Sequence, residues 1–227
     1  LWIDGVEAIS PTLVSCSIGS LRKSLEVLRI ARKENLSGCR CKLLGAHLEG
    51  PFLSNRFKGA HDSDSLCLPS LSALDERIRG FENEINIVTL APELPGSIDV
   101  IRRLKSLGII VSLGHSSADL NIARAAFEEG VSMMTHSFNA MPGLHHRAPG
   151  PLGEALTRGN IALGLISDGT HVHPNILSLF HKLASKQIFL VSDALISYGL
   201  GSGKSQFNWL NKLVFVDQGV CRLKNGT

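Results

Sequence analysis

The stretch IIVSLGHSSADLNIARAAFEEGVSMMTHSFNA, residues 109–140, shows the pattern that decides the fold. It begins with a short apolar run, continues with a segment whose apolar residues have helical spacing, and ends with a second short apolar run. Short runs that are apolar on both faces are typical of strands in a buried parallel sheet. We therefore predict a strand–helix–strand unit, with His115 and His136 at the ends of its two strands.

The same alternation continues through most of the chain. Seven apolar runs predict strands at Glu7–Leu13, Leu43–Leu48, Asn86–Ala91, Ile109–Leu113, Ser132–His136, Ile161–Ile166 and Ile188–Val191. Apolar residues at helical spacing predict helices that contain Leu21, Leu25 and Leu28; Leu74, Ile78 and Phe81; Ile98, Ile101 and Leu104; Leu120 and Ala123; and Ile176, Phe180 and Leu183. We expect Ser97 and Ser117 to cap the third and fourth of these helices, and Pro174 to stand in the first turn of the last.

Strands that alternate with helices favour parallel pairing and right-handed crossovers, as in an α/β barrel. A (β/α)8 barrel has eight strands and typically about 250 residues, whereas this chain has 227 residues and seven predicted strands. The chain begins without methionine, so we expect the first strand to precede Leu1 and the last helix to follow Thr227. Because an open barrel leaves two sheet edges unpaired, we expect residues 1–227 alone to be unstable or to aggregate.

The pattern changes in the last part of the chain. Residues 201–227 alternate between apolar and polar positions and contain a turn at 217–219, which predicts two antiparallel strands. We expect residues 1–200 to form the incomplete barrel and residues 201–227 to belong to a small β domain. The segment GLGSGKS, 199–205, is predicted to be a flexible loop, because Tyr198 stands where a Walker phosphate loop needs glycine.

Composition and charge exclude several classes of protein. With 44% apolar and 19% charged residues, the chain can bury a core, so it is not disordered. A net charge of +3, spread evenly, does not favour nucleic acid or anionic lipid as a partner. No apolar run approaches the roughly 18 residues of a membrane span, and the N-terminus does not resemble a secretory signal. The cysteines at 16, 39, 41, 67 and 221 fit neither a disulfide framework nor a zinc ribbon, and predict reduced thiols in a cytoplasmic protein.

Ionisable side chains follow five of the predicted strands: Glu49, His115, His136, Asp168 with His171, and Asp193. In a parallel barrel the carboxyl ends of all strands open onto one face, where active sites lie. Taken singly, such a histidine is more often a hydrogen-bonded structural residue, and such an aspartate is more often a helix cap. Five strand ends that bring these residues to one face predict a shared functional site instead.

Metal-assisted hydrolysis is the chemistry that this set of residues suits. Two neutral imidazoles and one carboxylate hold a divalent ion and leave a position for water, whose pKa the ion lowers toward about 7. A further carboxylate outside the ligand set must then move the proton. We predict Glu49, His115 and His136 as ligands and Asp193 as the group that transfers the proton.

The loop after His136 carries candidate contacts for an anion. Arg147, in the run 145–147, offers a planar donor fork for phosphate, and a solvated loop is an equally good interpretation of this run. Asn139 and Ala140 offer backbone N–H groups in the same loop.

Six motifs occur in order along the chain: HLEGPF (47–52), KGAH (58–61), LGHSSA (113–118), THSFNAMPGLHHRAPG (135–150), SDGTHVHP (167–174) and VSDAL (191–195). Together they resemble the N-acetylglucosamine-6-phosphate deacetylase family of the amidohydrolase superfamily, from about Gly5 to Thr227. HLEGP and the long block at 135–150 are specific for this family, whereas LGH or SDA alone would be weak signals.

The resemblance implies a metal-dependent (β/α)8 barrel with a small β-sandwich built from both chain ends. It implies hydrolysis of the acetamide of N-acetylglucosamine 6-phosphate to glucosamine 6-phosphate and acetate, by a homodimer. One divalent ion, commonly zinc and alternatively iron(II), would be bound by Glu49, His115 and His136. Asp193 matches the general acid/base. The strand that carries the superfamily's HxH motif is absent, so a second metal ion stays undetermined.

The resemblance also implies roles in substrate binding. His61 matches a residue that contacts the acetamide carbonyl and the sugar, and His171 matches a histidine near the sugar and phosphate. Asn139, Ala140 and Arg147 match the phosphate-contacting loop, in which some contacts cross the dimer interface. Two further histidines, His47 and His173, are expected to be structural. Ala148 stands where an acidic residue is expected, which bears on the geometry of the loop.

Two alternatives remain open at this point. The protein could be another metal-dependent amidohydrolase that acts on a different amide or on a cyclic imide, although the phosphate-loop residues argue against this. It could also be a barrel that binds sugar phosphates without catalysis, although the complete set of ligands together with Asp193 argues against this.

Overall fold

The computed structural model describes residues 1–34, 40–195, 198, 206–209, 212–217 and 220–224. Its strands are β1 (Ala8–Ile9), β2 (Thr12–Val14), β3 (Lys42–Leu43), β4 (Ala46–Glu49), β5 (Ile85–Leu90), β6 (Ile110–Leu113), β7 (Val131–Met134), β8 (Ala162–Ile166), β9 (Ile188–Val191), β10 (Gln206–Trp209), β11 (Lys212–Asp217) and β12 (Val220–Leu223). Its α-helices are α1 (Ile18–Lys33), α2 (Leu71–Ile78), α3 (Ser97–Ser106), α4 (Leu120–Glu129), α5 (Gly150–Arg158) and α6 (Pro174–Ala184).

Seven parallel strands form the central sheet, in the order β2-β4-β5-β6-β7-β8-β9. Neighbours in the sheet are also consecutive βα units along the chain, which is the strand order of a (β/α)8 barrel. The predicted α/β class and the seven strands are therefore confirmed. Within the described residues, β2 and β9 are the two edges of this sheet.

The first two predicted strands are each divided in the structure. Glu7–Leu13 becomes β1 and β2, and Leu43–Leu48 becomes β3 and β4, while β1 and β3 pair in a separate two-stranded sheet. Pro11 separates β1 from β2, because proline has no N–H to donate to a sheet ladder. Gly45 separates β3 from β4, where a Cβ atom would lie 2.9 Å from the backbone nitrogen of Asn86.

The helices pack their apolar faces against the sheet, largely as predicted. Leu21, Leu25 and Leu28 on α1 are buried, as are Leu74 and Ile78 on α2. These contacts place the main hydrophobic core between the helices and the sheet.

Both predicted serine caps are wrong. Gly96 precedes α3, and the Ser97 hydroxyl in the first turn donates to the carbonyl oxygen of Ala91. Asp119 caps α4 by accepting a hydrogen bond from the Ile122 amide at 2.9 Å. Ser117 lies two residues earlier and uses its amide and hydroxyl to donate to a carboxylate, which is described below.

Three helices differ from the sequence pattern. Helix α2 ends at Ile78, so Phe81, which is predicted to lie in it, is buried but outside the helix. Helix α5 is not predicted by apolar spacing, because it begins inside the motif block at Gly150 with a proline in its first turn. Helix α6 begins at Pro174 as predicted and buries Phe180, but Leu183 is 63% exposed and Ile176 is 36% exposed. The predicted apolar face of α6 is therefore only partly buried.

Strands β10, β11 and β12 form a three-stranded antiparallel sheet, one strand more than predicted. The Lys212 ammonium on β11 donates to the carbonyl oxygen of Ala60 at 2.7 Å, which links this sheet to the loop that carries His61. Other sequence predictions lie outside the described residues, namely the loop 199–205, positions 218 and 219 of the predicted turn, and Cys39. The domain boundary near residue 200 stays a prediction.

Neither membrane spans nor disulfides were expected. In the part of the chain that the structure describes, no helix is long and apolar enough to cross a membrane. Cys16, Cys41 and Cys67 are free thiols.

The buried face of α3 leads to a stability prediction. Leu104 is fully buried, so Leu104→Ala should lower the free energy of unfolding by about 2–5 kcal/mol. Leu68→Ala is the control, because Leu68 is 62% exposed and should cost well under 1 kcal/mol, or about 0.5. Denaturant unfolding of the complete protein measures both values, and equal costs would contradict the packing described here.

Candidate metal centre and active site

Three side chains from separate strand ends meet at one point. Glu49 is the last residue of β4, and His115 and His136 each lie two residues beyond the ends of β6 and β7. The Oε1 atom of Glu49 lies 3.2 Å from the Nε2 atom of His115 and 3.2 Å from that of His136. The two Nε2 atoms are 3.1 Å apart. All three side chains are buried.

The dimensions of this triangle fit a divalent cation. Donor atoms around a tetrahedral ion with bonds of about 2.0–2.2 Å lie about 3.3–3.6 Å apart, and the observed edges of 3.1 and 3.2 Å are only slightly shorter. Two imidazoles and a carboxylate are also the donor set of open catalytic zinc sites. The residues present therefore fit the ion that was predicted for them.

His61 lies beside this triangle, on the loop that follows β4. Its Nε2 atom is 3.7 Å from Oε2 of Glu49, and its ring meets that of His115 edge-on with centroids 4.7 Å apart. Ligand atoms of Glu49, His61 and His115 all lie within 4.8 Å of one another, so His61 is a fourth donor near the same point. We favour His136 as the third ligand, because its Nε2 atom lies 3.2 Å from the Glu49 carboxylate, compared with 3.7 Å for Nε2 of His61.

Backbone and hydroxyl groups orient two of the rings. The Nδ1 atom of His115 is 2.8 Å from the carbonyl oxygen of Phe57, which can only accept, so Nδ1 carries the proton and Nε2 presents its lone pair to the triangle. The Ser15 hydroxyl donates to the carbonyl oxygen of Glu49 at 3.2 Å. Its oxygen must therefore accept from Nδ1 of His61, 3.1 Å away, which leaves a lone pair on Nε2 of neutral His61 as well.

The protonation of the triangle follows from its burial and its hydrogen bonds. Burial alone would raise the pKa of Glu49, but hydrogen bonds with His115, His136 and His61 outweigh it and hold this pKa well below its ordinary value. For His136, burial opposes the charged form, while the hydrogen bond and charge of Glu49 and the charge of Asp193 raise the pKa above its ordinary value. The carboxylates of Glu49 and Asp193 thus stabilise the protonated form of His136 by more than burial destabilises it.

Backbone strain is concentrated at the same place. Within the described residues, the non-glycine residues in the left-handed region are His115 (φ 47°), His136 (φ 28°), Phe138 (φ 78°), Ala140 (φ 51°) and Asp193 (φ 47°). All five follow the carboxyl ends of β6, β7 or β9. Such conformations cost about 1–3 kcal/mol each and cluster at functional sites, so the backbone marks the site independently of side-chain chemistry.

A network of threonine and serine hydroxyl groups contacts His47. The Nε2 atom of His47 is 2.7 Å from Oγ1 of Thr89, and its Nδ1 atom is 3.1 Å from Oγ1 of Thr12. Oγ1 of Thr135 lies 2.6 Å from both Oγ1 of Thr89 and Oγ of Ser112. Both ring nitrogens of His47 are thus occupied by hydroxyls, which supports its predicted structural role.

Asp193 lies two residues beyond the end of β9 and is exposed. Its negative charge is close enough to the triangle to raise the pKa of His136, and it acts in the same direction on His47. Asp193 is therefore an exposed carboxylate outside the ligand triangle, and its role in proton transfer stays a prediction.

The remaining predicted residues lie in loops on the same side of the sheet. The Asn139 side-chain amide donates to the carbonyl oxygens of His136 and Ser137, at 3.3 and 3.4 Å. His171 is exposed, with Nδ1 2.6 Å from Oδ2 of Asp168. Arg147 lies on an exposed turn. Among the described residues, no hydrogen bond or ion pair joins Arg147 or His171 to the Glu49 triangle.

Sequence reasoning missed three contributors to the site. Ser15 follows β2 directly. Glu93 accepts hydrogen bonds from Ser116 and Ser117, the residues after His115, and lies three residues beyond β5, so the strand-end rule could have found both. The carbonyl oxygen of Phe57 has no signal in the sequence, because any residue type can supply a backbone acceptor.

Comparison with known proteins identifies the relatives of this chain. It is 36% identical to N-acetylgalactosamine-6-phosphate deacetylase of Escherichia coli O157:H7, with 98% of this chain and 58% of that protein covered. It is 41% identical to N-acetylglucosamine-6-phosphate deacetylase of Bos taurus, with 88% and 50% covered. The crystal structure of N-acetylglucosamine-6-phosphate deacetylase from Pasteurella multocida matches with a TM-score of 0.87 at 32% identity, over 98% of this chain and 57% of that one. No protein-family model matches the chain.

The chain belongs to the N-acetylglucosamine-6-phosphate deacetylase family. The resemblance predicted from the six motifs is thereby confirmed. The chain spans 50–58% of the length of the curated deacetylases named above. One of these deacetylases is named for the galacto sugar and the other for the gluco sugar.

The raised pKa of His136 predicts how metal binding by this deacetylase family member depends on pH. A cation on Nε2 must displace the proton there, so the apparent zinc affinity should fall about tenfold per pH unit once the pH is below the pKa of His136. Calorimetric zinc titrations in buffers of different ionisation enthalpy should show release of a proton. An affinity that does not change between about pH 8 and about pH 6 would contradict this assignment.

Proposed function

We propose that the protein hydrolyses the acetamide of N-acetylglucosamine 6-phosphate to glucosamine 6-phosphate and acetate. The observation that carries this proposal is the buried triangle of Glu49, His115 and His136, with the carboxylate of Asp193 close enough for its charge to act on His136. Family membership supports the reaction class, since the curated relatives are named as deacetylases of N-acetylated hexosamine 6-phosphates.

Glu49, His115 and His136 would hold one divalent ion, with zinc expected and iron(II) as the alternative. When bound there, such an ion polarises a carbonyl and makes a water molecule acidic enough to attack at neutral pH. Asp193 takes the proton from the attacking water and later delivers it to the departing amine nitrogen. His61 contacts the acetamide carbonyl. Because Nδ1 of His61 donates to the Ser15 hydroxyl, Nε2 is the ring nitrogen that is left to face the substrate.

The loop after β7 would bind the phosphate. We assign this contact to Arg147, to Ala140 and to the turn at Asn139, with His171 near the sugar. The backbone N–H of Asn139 donates to the carbonyl oxygen of His136 at 3.0 Å, so at Asn139 a phosphate would have to share this donor. The amide of Asn139 is already donated to two carbonyl oxygens of its own loop, so its side chain stabilises the loop rather than reaching the phosphate. Arg147 lies on an exposed turn, which is consistent with a contact made across a homodimer interface.

The free thiols at Cys16, Cys41 and Cys67 support a cytoplasmic location for this activity. A soluble sugar phosphate is the partner that the site requires. We assign no nucleic-acid or membrane partner to the protein.

The first test addresses the proton-transfer group. Asp193→Asn should lower kcat by about 10²–10⁴-fold without loss of bound metal, because Asp193 moves a proton but is not a ligand. Asp99→Asn is the matched control, since Asp99 is exposed on α3 and far from the strand ends in sequence. Activity of the Asp193 variant within a few-fold of wild type, with metal content measured by elemental analysis, would refute the role.

The second test addresses the substrate and both alternatives. The wild-type kcat/KM should be at least about 100-fold higher for the phosphorylated than for the unphosphorylated sugar, since Arg147 and the loop amides bind the phosphate. Arg147→Ala should raise KM, whereas the exposed control Arg102→Ala should not. Equal kcat/KM for both sugars would favour an amidohydrolase with another substrate, and binding without turnover would favour a non-catalytic barrel.

The relatives are named for two different sugars, and the same assay can decide between them. It compares kcat/KM for N-acetylglucosamine 6-phosphate and for N-acetylgalactosamine 6-phosphate. We expect the gluco sugar to be the better substrate.

A further inference from the structure

Strand β5 lies between the strands that carry Glu49 and His115, yet it supplies none of the proposed ligands. The loop that follows it carries Glu93, which is half-buried. Oε2 of Glu93 accepts a hydrogen bond from the Ser116 hydroxyl at 2.7 Å. Oε1 accepts from the Ser117 amide at 2.6 Å and from the Ser117 hydroxyl at 3.0 Å. Among the described residues, no lysine, arginine or histidine forms an ion pair with this carboxylate.

The two serines follow His115 directly and belong to a strained turn. His115 has a φ of 47°, and its carbonyl oxygen accepts from the Ser54 amide at 2.8 Å. The Ser116 amide donates to the carbonyl oxygen of Ala140 at 3.1 Å, and Ala140 itself has a φ of 51°. The turn therefore connects the proposed metal ligand His115 to the proposed phosphate loop.

We propose that Glu93 is a positioning residue for the metal centre. Its charge-assisted hydrogen bonds hold the turn at Ser116 and Ser117, and so keep His115 in the left-handed conformation that directs Nε2 to the Glu49 triangle. Through Ser116 it also ties this turn to Ala140. The inference rests on the proposed metal centre. In it, the loop after β5 supplies no ligand but a residue that orients the ligand His115.

A purely structural role is the competing interpretation. Glu93 lies near the beginning of α4, where a carboxylate also stabilises the helix through its dipole. That role predicts a lower melting temperature for a Glu93 variant but an unchanged metal affinity. The two interpretations therefore separate in a zinc-binding experiment.

The experiment compares Glu93→Ala, Glu93→Gln and Glu129→Gln in the complete protein, with zinc affinity measured by competition with a chelator. Glu93→Ala should weaken zinc binding by about 10–100-fold. Glu93→Gln should stay within about threefold of wild type, because its amide oxygen can accept from Ser117 while its NH₂ group donates to the serine hydroxyls. Glu129→Gln loses only an exposed pair with Arg102 and should bind zinc as wild type does.

Each outcome supports or overturns the inference. Wild-type zinc affinity in Glu93→Ala overturns it whatever the melting temperature, and leaves the proposed function intact. A wild-type protein that binds no zinc overturns the metal centre itself and this inference with it. If Glu93→Ala does not fold, the Ser116→Ala/Ser117→Ala variant removes two of the three hydrogen bonds, and it should weaken zinc binding in the same direction.

Discussion

The buried carboxylate of Glu49 is the constraint on which the rest of the site depends. Burying an unpaired carboxylate costs on the order of several kcal/mol, so its partners must be in place when the chain is folded. Those partners are imidazoles from His61, His115 and His136, which come from three different loops. The sheet must therefore bring the ends of β4, β6 and β7 to one point, and the strain at His115 and His136 is tolerated there.

Different strands of the sheet lead to the proposed metal ligands and to the residues around them. β4, β6 and β7 lead to the proposed ligands, whereas β2 and β5 lead to groups that hold the neighbouring histidines His61 and His47. Ser15 fixes the tautomer of His61, and Thr89 on β5 occupies a ring nitrogen of His47. Gly114 allows this close packing, because a Cβ atom there would lie 2.8 Å from side-chain atoms of Thr89 and Thr135. In our proposal Glu93, which follows β5, likewise holds the turn after β6. Substitutions at these supports should change metal affinity without removing a ligand.

Much of the fold could be predicted because the period of the apolar residues is a local property. The seven strands follow from runs such as Ile188–Val191, and the burial of Leu25 follows from helical spacing. Predictions failed where the partner was distant. Ser117 looks like a helix cap in sequence, but Glu93 attracts its amide and hydroxyl, so Asp119 becomes the cap. Leu183 and Phe180 have helical spacing, but only Phe180 is buried. The exposure of a side chain depends on which neighbouring elements cover it, and the spacing does not show this.

The sequence by itself determined the α/β class, the family, and the residue types that stand at the strand ends, because these depend on local spacing and on motifs. Only the tertiary structure decided which of those residues share a point in space, with donor atoms 3.1 to 3.2 Å apart. It also decided the tautomers of His61 and His115, since these depend on the Ser15 hydroxyl and the Phe57 carbonyl oxygen. The physical reason is that hydrogen-bond direction and desolvation arise between groups distant in the chain, and no local pattern encodes them.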